Sequence, residues 1–209
     1  MLDPIPGLSF YPDLHRYHLA THGWLARSVT QVVGHDMTAK TRAYIDATRA
    51  EWEPRGNHVH AALEAHLLGH ERPDALAAEV YDAWITPLLA HDLWKGAEIL
   101  AVEYRLCDQR KSIAGSFDFL LRTAKGTLVL GDLKTVGKPQ AINARKPATE
   151  QLGAYAAMLI DHHPSLSIGK CITVVAGPGR TRLITQSADE CLGAWIDCWD
   201  AYQLTQPPF

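Results

Sequence analysis

The spacing of apolar residues in the first half of the chain predicts a hairpin followed by helices. Residues 10–33 alternate polar and apolar positions around His22-Gly23, which is typical of a short hairpin that leads into a helix. Over residues 38–68 the apolar positions recur every three or four residues, which predicts a helical stretch broken near Pro54. The same spacing predicts a further helix over residues 74–94.

The period changes after residue 95, where short apolar runs of strand length replace the helical spacing. Three strands are predicted first, then a helix, two strands and a closing helix. This order predicts an α/β (α+β) fold in which a mixed central sheet is flanked by helices. In chain order, these predicted elements cover residues 99–106, 113–121, 127–133, 149–163, 171–176, 182–185 and 189–204.

Two of the predicted strands contain charged residues among apolar neighbours. The segment GSFDFLLRTAKGTLVLGDLKT, residues 115–135, holds Asp118, Asp132 and Lys134. If Gly126 supplies the left-handed residue of a three-residue hairpin loop, Asp118 lies directly opposite Asp132. Facing residues of an antiparallel pair have Cβ atoms about 4.5 to 5.5 Å apart, so we expect the two carboxylates to share one small volume.

Two carboxylates at this separation repel each other unless a cation lies between them. The pair therefore predicts a site for a hard divalent metal with oxygen ligands, and the backbone carbonyl of Leu133 is a further candidate ligand. Lys134 falls on the same face of the strand as Asp132. A lysine there is suited to holding or deprotonating an attacking water and to stabilising the negative charge of a pentavalent phosphate.

Length and composition indicate one globular domain. The chain has 209 residues, of which 47% are hydrophobic and 21% charged, enough for a single well-buried core. Within it we expect an N-terminal hairpin and helices over residues 1–95, a core over 96–186 and a C-terminal helix over 187–209. The N-terminus lacks a basic segment followed by a long apolar one, so we expect a cytoplasmic protein.

Charge is unevenly distributed along the chain. The formal net charge is −3, yet residues 103–146 hold nine basic and four acidic residues, a local charge of +5. Phosphate binding depends on local potential more than on net charge. The negative total therefore does not exclude nucleic acid as a partner.

Four short motifs follow one another in the sequence: GNHVHAALE at 56–64, GSFD at 115–118, GDLKT at 131–135 and QLGAY at 151–155. In this order they resemble the PD-(D/E)xK nuclease superfamily, and within it the RecB-like exonucleases, including phage-encoded and CRISPR-associated members. The resemblance implies a restriction-endonuclease-like αβββαβ core. It also implies metal-dependent hydrolysis of phosphodiester bonds in DNA, by an exonuclease of phage recombination, repair or DNA processing in the host cytoplasm.

The resemblance implies roles for individual residues as well. Lys134, Asp118, Asp132 and His60 are expected to be catalytic, the last three as metal ligands. Gln151 and Tyr155, one helical turn apart, are expected either to contact DNA or to support the site. Glu103, on the strand before Asp118, is either a further metal ligand or a solvated strand residue. The ligands expected for Mg²⁺ or Mn²⁺ are His60, Asp118, Asp132, the Leu133 carbonyl and, in the first of these alternatives, Glu103.

The cysteines depart from the pattern of many RecB-like exonucleases, in which one cysteine before the histidine motif and three near the C-terminus hold an iron-sulfur cluster. Cys107 is the first cysteine of this chain, and Cys171, Cys191 and Cys198 lack close spacing. We therefore expect reduced thiols and no iron-sulfur cluster.

Two other functions stay open at the level of sequence. A non-catalytic nucleic-acid-binding module would keep the fold but lose a ligand or the lysine, and none is missing. A metal hydrolase centred on His58 and His60 is the second, although that chemistry usually occupies a barrel of about 250 residues. For a nuclease, the expected partners are DNA, as single strands or duplex ends, and a recombination or replication protein.

Overall fold

A six-stranded mixed sheet lies at the centre of the fold, with helices packed on it. In this computed structural model, which describes residues 1–72 and 75–206, a separate three-stranded sheet precedes it in the chain. The architecture confirms the predicted α/β (α+β) class with a mixed central sheet flanked by helices. Within the described part of the chain, no helix has both the length and the apolar character needed to cross a bilayer.

The three-stranded sheet is antiparallel and consists of β1 (Leu8–Tyr11), β2 (Arg16–Leu19) and β3 (Gly23–Trp24). The pairing of β2 with β3 confirms the hairpin predicted around His22-Gly23. Side chains alternate between the two faces of these strands, and the inner face packs on Ala114 of the central sheet. The apolar side chains in this contact are Leu8, Phe10, Tyr17, Leu19 and Leu25.

A short strand, β4 (Arg27–Ser28), connects the first sheet to four helices. Ser28 begins the first helix with a capping box, since its hydroxyl accepts the backbone N–H of Gln31 while the Gln31 side chain accepts the N–H of Ser28. The four helices are α1 (Val29–Val33), α2 (Ala39–Ala47), α3 (Arg49–Leu68) and α4 (Ala75–Leu89).

The predicted break near Pro54 is wrong, because the helical stretch is interrupted at Thr48 and continues through Pro54. The Thr48 hydroxyl donates to the carbonyl of Tyr44 at 2.9 Å, which satisfies a carbonyl at the end of α2. Pro54 lies in the second turn of α3, where its missing N–H removes a single backbone hydrogen bond.

The helix predicted over residues 74–94 is shorter than expected. α4 ends at Leu89, and a 3-10 turn at Asp92–Trp94 completes the segment. Residue 74 itself lies outside the described residues.

The central sheet contains β4 and five longer strands, with three further helices between and after them. Its order is β4-β6-β7-β8-β9, and β5 pairs with β6. The long strands are β5 (Glu98–Asp108), β6 (Ile113–Arg122), β7 (Leu128–Thr135), β8 (Lys170–Gly177) and β9 (Arg180–Ser187). The helices are α5 (Pro139–Ala144), α6 (Thr149–His162) and α7 (Ala188–Leu204).

The hairpin between β6 and β7 has the predicted register. Phe119 pairs with Gly131, and the backbone N–H of Thr123 donates to the carbonyl of Thr127 at 2.9 Å. Gly126 has a φ of +82°, the left-handed conformation expected of it. The loop therefore aligns Asp118 with Asp132, one residue beyond the last pair.

Apolar side chains fill a layer on each face of the central sheet. One layer contains α6 and α7, and the other contains α3 and α4, so the sheet is covered on both sides. In the first layer the buried residues include Leu106, Phe117, Leu120, Leu130, Leu152, Leu159 and Trp195, and in the second Val59, Leu63, Ile85, Leu88, Phe119, Leu121 and Leu133.

Candidate metal centre

The candidate site lies where β6 separates from β7. β5 pairs along one edge of β6 from Ile113 to Arg122, except at Asp118, which has no partner in this register. On the other edge, β7 pairs only as far as Phe119, and β4 pairs only at Ile113 and Ala114. The described pairing therefore leaves residues 115–118 with no strand beside them on that edge, and Asp118 projects at the end of this gap.

Asp118 occupies the gap with both carboxylate oxygens engaged. Its Oδ2 accepts the backbone N–H of Leu133, and its Oδ1 lies 3.1 Å from Nδ1 of His60. Burial raises the pKa of Asp118, but the charge of His60 and the hydrogen bond from it outweigh burial, so the pKa lies below its ordinary value. Asp118 is therefore ionised at neutral pH, although it is only 9% exposed.

His60 reaches the gap from α3. Its neighbours Val59, Ala62 and Leu63 are buried against the sheet, which fixes this face of the helix over the site. Burial lowers the pKa of His60, but Asp118 and Glu103 raise it more, to about 10. In the metal-free protein the imidazole is therefore protonated and forms an ion pair with Asp118.

Glu103 joins this group from β5 through an unusual backbone conformation. It lies between the paired residues Val102 and Tyr104 and has a φ of +47°, in the left-handed region. Such a conformation costs about 1 to 3 kcal/mol for a residue other than glycine. Its Oε1 is 3.7 Å from Nδ1 of His60. With this backbone conformation, the half-exposed side chain of Glu103 lies next to His60.

One ligand atom from each of His60, Glu103 and Asp118 lies within 4.8 Å of the other two. Such a separation allows all three to coordinate one ion at the usual ligand distances of about 2.0 to 2.6 Å. Of the two alternatives for Glu103, this geometry is compatible with a place among the ligands, and the side chain is also 37% exposed.

Asp132 lies in the same small cavity but in a different environment. It is 2% exposed, and Nζ of Lys134 lies 2.8 Å from its Oδ2 and 3.1 Å from its Oδ1. Only the Oδ1 contact has hydrogen-bond geometry, so Oδ2 accepts no hydrogen bond from the described residues. Burial raises the pKa of Asp132, and the charge of Asp118 adds to this, against the opposing effect of Lys134.

Lys134 begins a chain of polar side chains that leads into α6. Its Nζ donates to Oε1 of Gln151 at 2.9 Å, and Nε2 of Gln151 donates to the hydroxyl of Tyr155 at 2.9 Å. A Cβ at Gly115 would lie 2.6 Å from Cε1 of Tyr155, so glycine is needed where the ring enters the gap. Of the two roles expected for Tyr155, its complete burial favours support of the site over contact with DNA.

A hard divalent cation fits these residues. His60 and Asp118 line a cavity of about 190 Å³ together with Asp132, whose Oδ2 is buried without a hydrogen bond from the described residues. Glu103 joins the cluster of His60 and Asp118 from beside this cavity, and Asp132 lies outside that 4.8 Å cluster. The N–H of Leu133 points into the gap, and because the N–H and C=O of a strand residue point to the same side, its carbonyl does too. Carboxylate and carbonyl oxygens suit Mg²⁺ and Mn²⁺, and an imidazole is compatible with Mn²⁺.

A larger cleft of about 920 Å³ opens next to the site between α3 and the ends of the strands. Its lining has mixed charge, with basic side chains from Arg105, Lys134 and Arg145 and acidic ones from Glu53 and Glu64. A groove of this size can accommodate a substrate strand beside the metal ligands.

The basic segment over residues 103–146 does not form one surface. Arg110 and Lys111 lie before the start of β6 and pair with Asp161 and Asp108, whereas Arg122 lies at its other end. The local charge of +5 thus overstates the positive potential at the site, because sequence proximity does not place these side chains together.

The N-terminal segment also contributes to the site, which its sequence did not indicate. His15, Tyr17, Ser28 and Thr30 line the same 190 Å³ cavity as the candidate ligands. No motif of metal or acid-base chemistry marks these residues, and their position depends on how the first sheet packs on β6. Burial raises the pKa of Tyr17 to about 12, so its hydroxyl stays protonated.

Comparisons with known proteins leave the family of this chain open. No family model matches the chain, and no curated protein matches it. A solved structure described as "Crystal structure of SSO0001" aligns with 87% of this chain and 77% of that one, at 17% identity and a TM-score of 0.35. A likeness of this strength supports no functional argument.

Proposed function

We propose that this protein is a deoxyribonuclease that uses Mg²⁺ or Mn²⁺ to hydrolyse phosphodiester bonds. The observation that carries the proposal is that Lys134 lines one small cavity together with His60, Asp118 and Asp132, three candidate ligands from three separate elements. The proposed ligands are His60, Glu103, Asp118, Asp132 and the Leu133 carbonyl.

The metal would supply a positive charge that polarises the phosphate and lowers the pKa of a water molecule. The protein residues hold its ligands in place. Asp118 is oriented by the Leu133 N–H, and Glu103 by its left-handed backbone. Such preorganised groups lower the barrier because little rearrangement is needed as the reaction proceeds.

Lys134 has the role of a positive charge beside the reacting phosphate. Gln151 and Asp132 hold its Nζ from two sides, and the Tyr155 hydroxyl in turn holds Gln151. From this position Nζ can orient the attacking water and stabilise the charge that develops on the phosphate oxygens. The lysine therefore acts on the reaction without needing to be a metal ligand.

The motifs that resemble RecB-like exonucleases lead us to propose DNA ends as the substrate and phage recombination, repair or DNA processing as the setting, in the host cytoplasm. The mixed charge of the cleft supports a strand that passes the acidic site while basic residues contact its phosphates. A recombination or replication protein is the proposed partner.

The two other candidate functions have less support. A hydrolase centred on His58 and His60 requires the two imidazoles to meet, but Nδ1 of His58 contacts the carbonyl of Pro54 and its ring lies against Tyr81. A binding module with no catalysis does not require Lys134 to form an ion pair with a buried carboxylate beside the candidate ligands.

The direct test is incubation of the purified protein with end-labelled linear DNA and with circular DNA, in Mg²⁺, Mn²⁺ or EDTA. We expect cleavage of linear DNA with Mg²⁺ or Mn²⁺ and none in EDTA. Asp108→Asn is a matched control, because Asp108 is a buried carboxylate outside the site that pairs with Lys111. Absence of cleavage with every divalent metal would favour the binding module.

A further inference from the structure

The outer face of the three-stranded sheet carries a cluster of aromatic and basic side chains. Because side chains alternate along a strand, Tyr11 and Arg16 lie on the face opposite to the apolar contact, as do His18 and Trp24. Tyr11 is 44% exposed and Trp24 is 42% exposed. Two large aromatic rings thus lie at the surface on a short, well-paired sheet.

The rings on this face contact one another. The ring centroid of Trp24 lies 5.0 Å from that of Tyr11 and 5.2 Å from that of His18. The guanidinium of Arg16 lies over the Trp24 ring at 4.9 Å. These contacts fix the orientation of the rings, so that less conformational entropy is lost when a ligand stacks on them.

A cavity of about 370 Å³ begins beside this face and is basic. Arg16, Arg27 and His15 line it, and none of its lining residues is acidic. Among the described residues, neither arginine forms an ion pair within 4.0 Å of a carboxylate, in contrast to Arg110 and Arg122. The cavity therefore offers positive charge that is not already neutralised by the protein.

The basic cavity adjoins the candidate metal centre. His15, Tyr17 and Ser28 line both this cavity and the 190 Å³ cavity that contains Asp118 and Lys134. Arg16 belongs to both the aromatic face and the basic cavity, so the basic cavity adjoins the aromatic face as well as the metal centre.

We propose that the aromatic face and the basic cavity bind single-stranded DNA and direct it to the metal centre. Bases would stack on Trp24 and Tyr11, and a neighbouring phosphate would occupy the cavity lined by Arg16 and Arg27. This inference rests on the proposed function and deepens it, because it names the form of DNA that reaches the site.

A single strand fits this surface better than a duplex. Aromatic side chains bind single strands by stacking on unpaired bases, whereas the bases of a duplex are stacked within it and present mainly phosphates to a protein. Exposed rings beside a basic cavity match the combination of stacking and backbone contact by which proteins bind single strands.

The test measures binding separately from cleavage, by fluorescence anisotropy in Ca²⁺ with a labelled 20-nucleotide single strand and the matching duplex. We expect Trp24→Leu to weaken binding of the single strand about 10-fold and to leave duplex binding unchanged, because base stacking is lost. Trp24→Phe should restore most of the affinity, because phenylalanine keeps an aromatic face whereas leucine does not.

Arg27 provides a second, independent measurement. Arg27→Ala should reduce the dependence of log K on log salt for the single strand by about one unit, because one phosphate contact is lost. Arg122→Ala is the control, since Arg122 lies at the far end of β6 and pairs with Glu98. An unchanged salt dependence for Arg27→Ala would argue against a phosphate in the basic cavity.

The inference is overturned if the wild type does not bind the single strand, or if Trp24→Leu binds it as tightly as the wild type does. Equal losses for the single strand and the duplex also overturn it. If the wild type binds the single strand through Trp24 but cuts no DNA with any metal, the inference stands and the nuclease proposal fails. If the wild type cuts DNA and Trp24→Leu binds the single strand as tightly as the wild type does, the nuclease proposal stands and this inference fails.

Discussion

The site has two halves that differ although each is built around an aspartate. In one half, Asp118 is ionised, paired with His60 and bonded to the Leu133 N–H. In the other, Asp132 has one oxygen without a hydrogen bond from the described residues, and burial raises its pKa against the opposing charge of Lys134. The two aspartates occupy matching positions on adjacent strands. The opposite shifts of their pKa values therefore come from the side chains around each carboxylate.

For the proposed metal site, this contrast indicates that the candidate ligands are held in place before a metal binds. The half with His60 is satisfied without metal, because the protonated imidazole takes the place of the cation. In the half with Asp132, Lys134 supplies the compensating charge, but the buried Oδ2 accepts no hydrogen bond from the described residues. We expect metal binding to displace a proton from the first half and to satisfy the second.

The largest expected effect is on cleavage by Asp118→Asn. The amide cannot supply the charge that the metal needs, so cleavage should fall at least about 1000-fold, as when a group essential to transition-state charge is removed. Metal affinity, measured by calorimetry with Mn²⁺, should fall as well. Asp108→Asn, which lies outside the site, should keep the wild-type cleavage rate and Mn²⁺ affinity. Cleavage by Asp118→Asn within tenfold of the wild type would contradict the ligand assignment.

Lys134→Ala should reduce cleavage about 100-fold while Mn²⁺ still binds, because the lysine acts as a charge and not as a ligand. The variant should be less stable in EDTA, since Asp132 loses its cation while remaining buried. Added Mn²⁺ should restore most of its melting temperature, since the ion supplies the missing charge. Cleavage at the wild-type rate would mean that Lys134 is not catalytic.

Metal affinity should increase with pH, about tenfold for each unit between pH 7 and 9. The pKa of His60, raised to about 10, keeps the imidazole protonated in this range, so that each metal bound displaces one proton. Conversely, the ion pair stabilises the metal-free protein most below pH 6.5, and this stability is lost as the pH rises through 10. Calorimetry in two buffers of different ionisation enthalpy measures the proton release. A metal affinity that does not change between pH 7 and 9 would contradict a protonated His60.

The smallest expected effect is that of Tyr155→Phe. Loss of the hydroxyl leaves Nε2 of Gln151 without its acceptor, at a cost in unfolding free energy of about 1 kcal/mol. Cleavage should fall only a few-fold, because Gln151 still contacts Lys134. Chemical denaturation and initial rates measure the two effects. Tyr44→Phe is the control, since Tyr44 is exposed on α2.

Local chemistry made part of the molecule predictable. The register of β6 with β7 follows from the glycine at position 126, because a left-handed residue fixes the length of the loop and therefore which residues face each other. The motifs around His60, Asp118 and Lys134 predicted residues that lie in one cavity, because each of them has a fixed position on a regular element.

Features that depend on distant contacts were not predictable from the sequence. The left-handed backbone of Glu103 is an exception to strand geometry that only the surrounding structure maintains. The cavity residues His15 and Tyr17 reach the site because β4 replaces β7 beside β6, a pairing of two residues that leaves no pattern in the chain. The break predicted at Pro54 was wrong because the energetic cost of a proline depends on its position in the helix.

The gap between β6 and β7 also has a consequence for hydrogen exchange. The amide hydrogen of Leu133 is held by a side chain, Asp118, in a strand where the neighbouring amides take part in backbone pairing. Its exchange with solvent should therefore follow movements of that single carboxylate and not the opening of the sheet. A ¹⁵N-labelled protein thus contains, at one backbone position, a spectroscopic probe that reports directly on the state of the site.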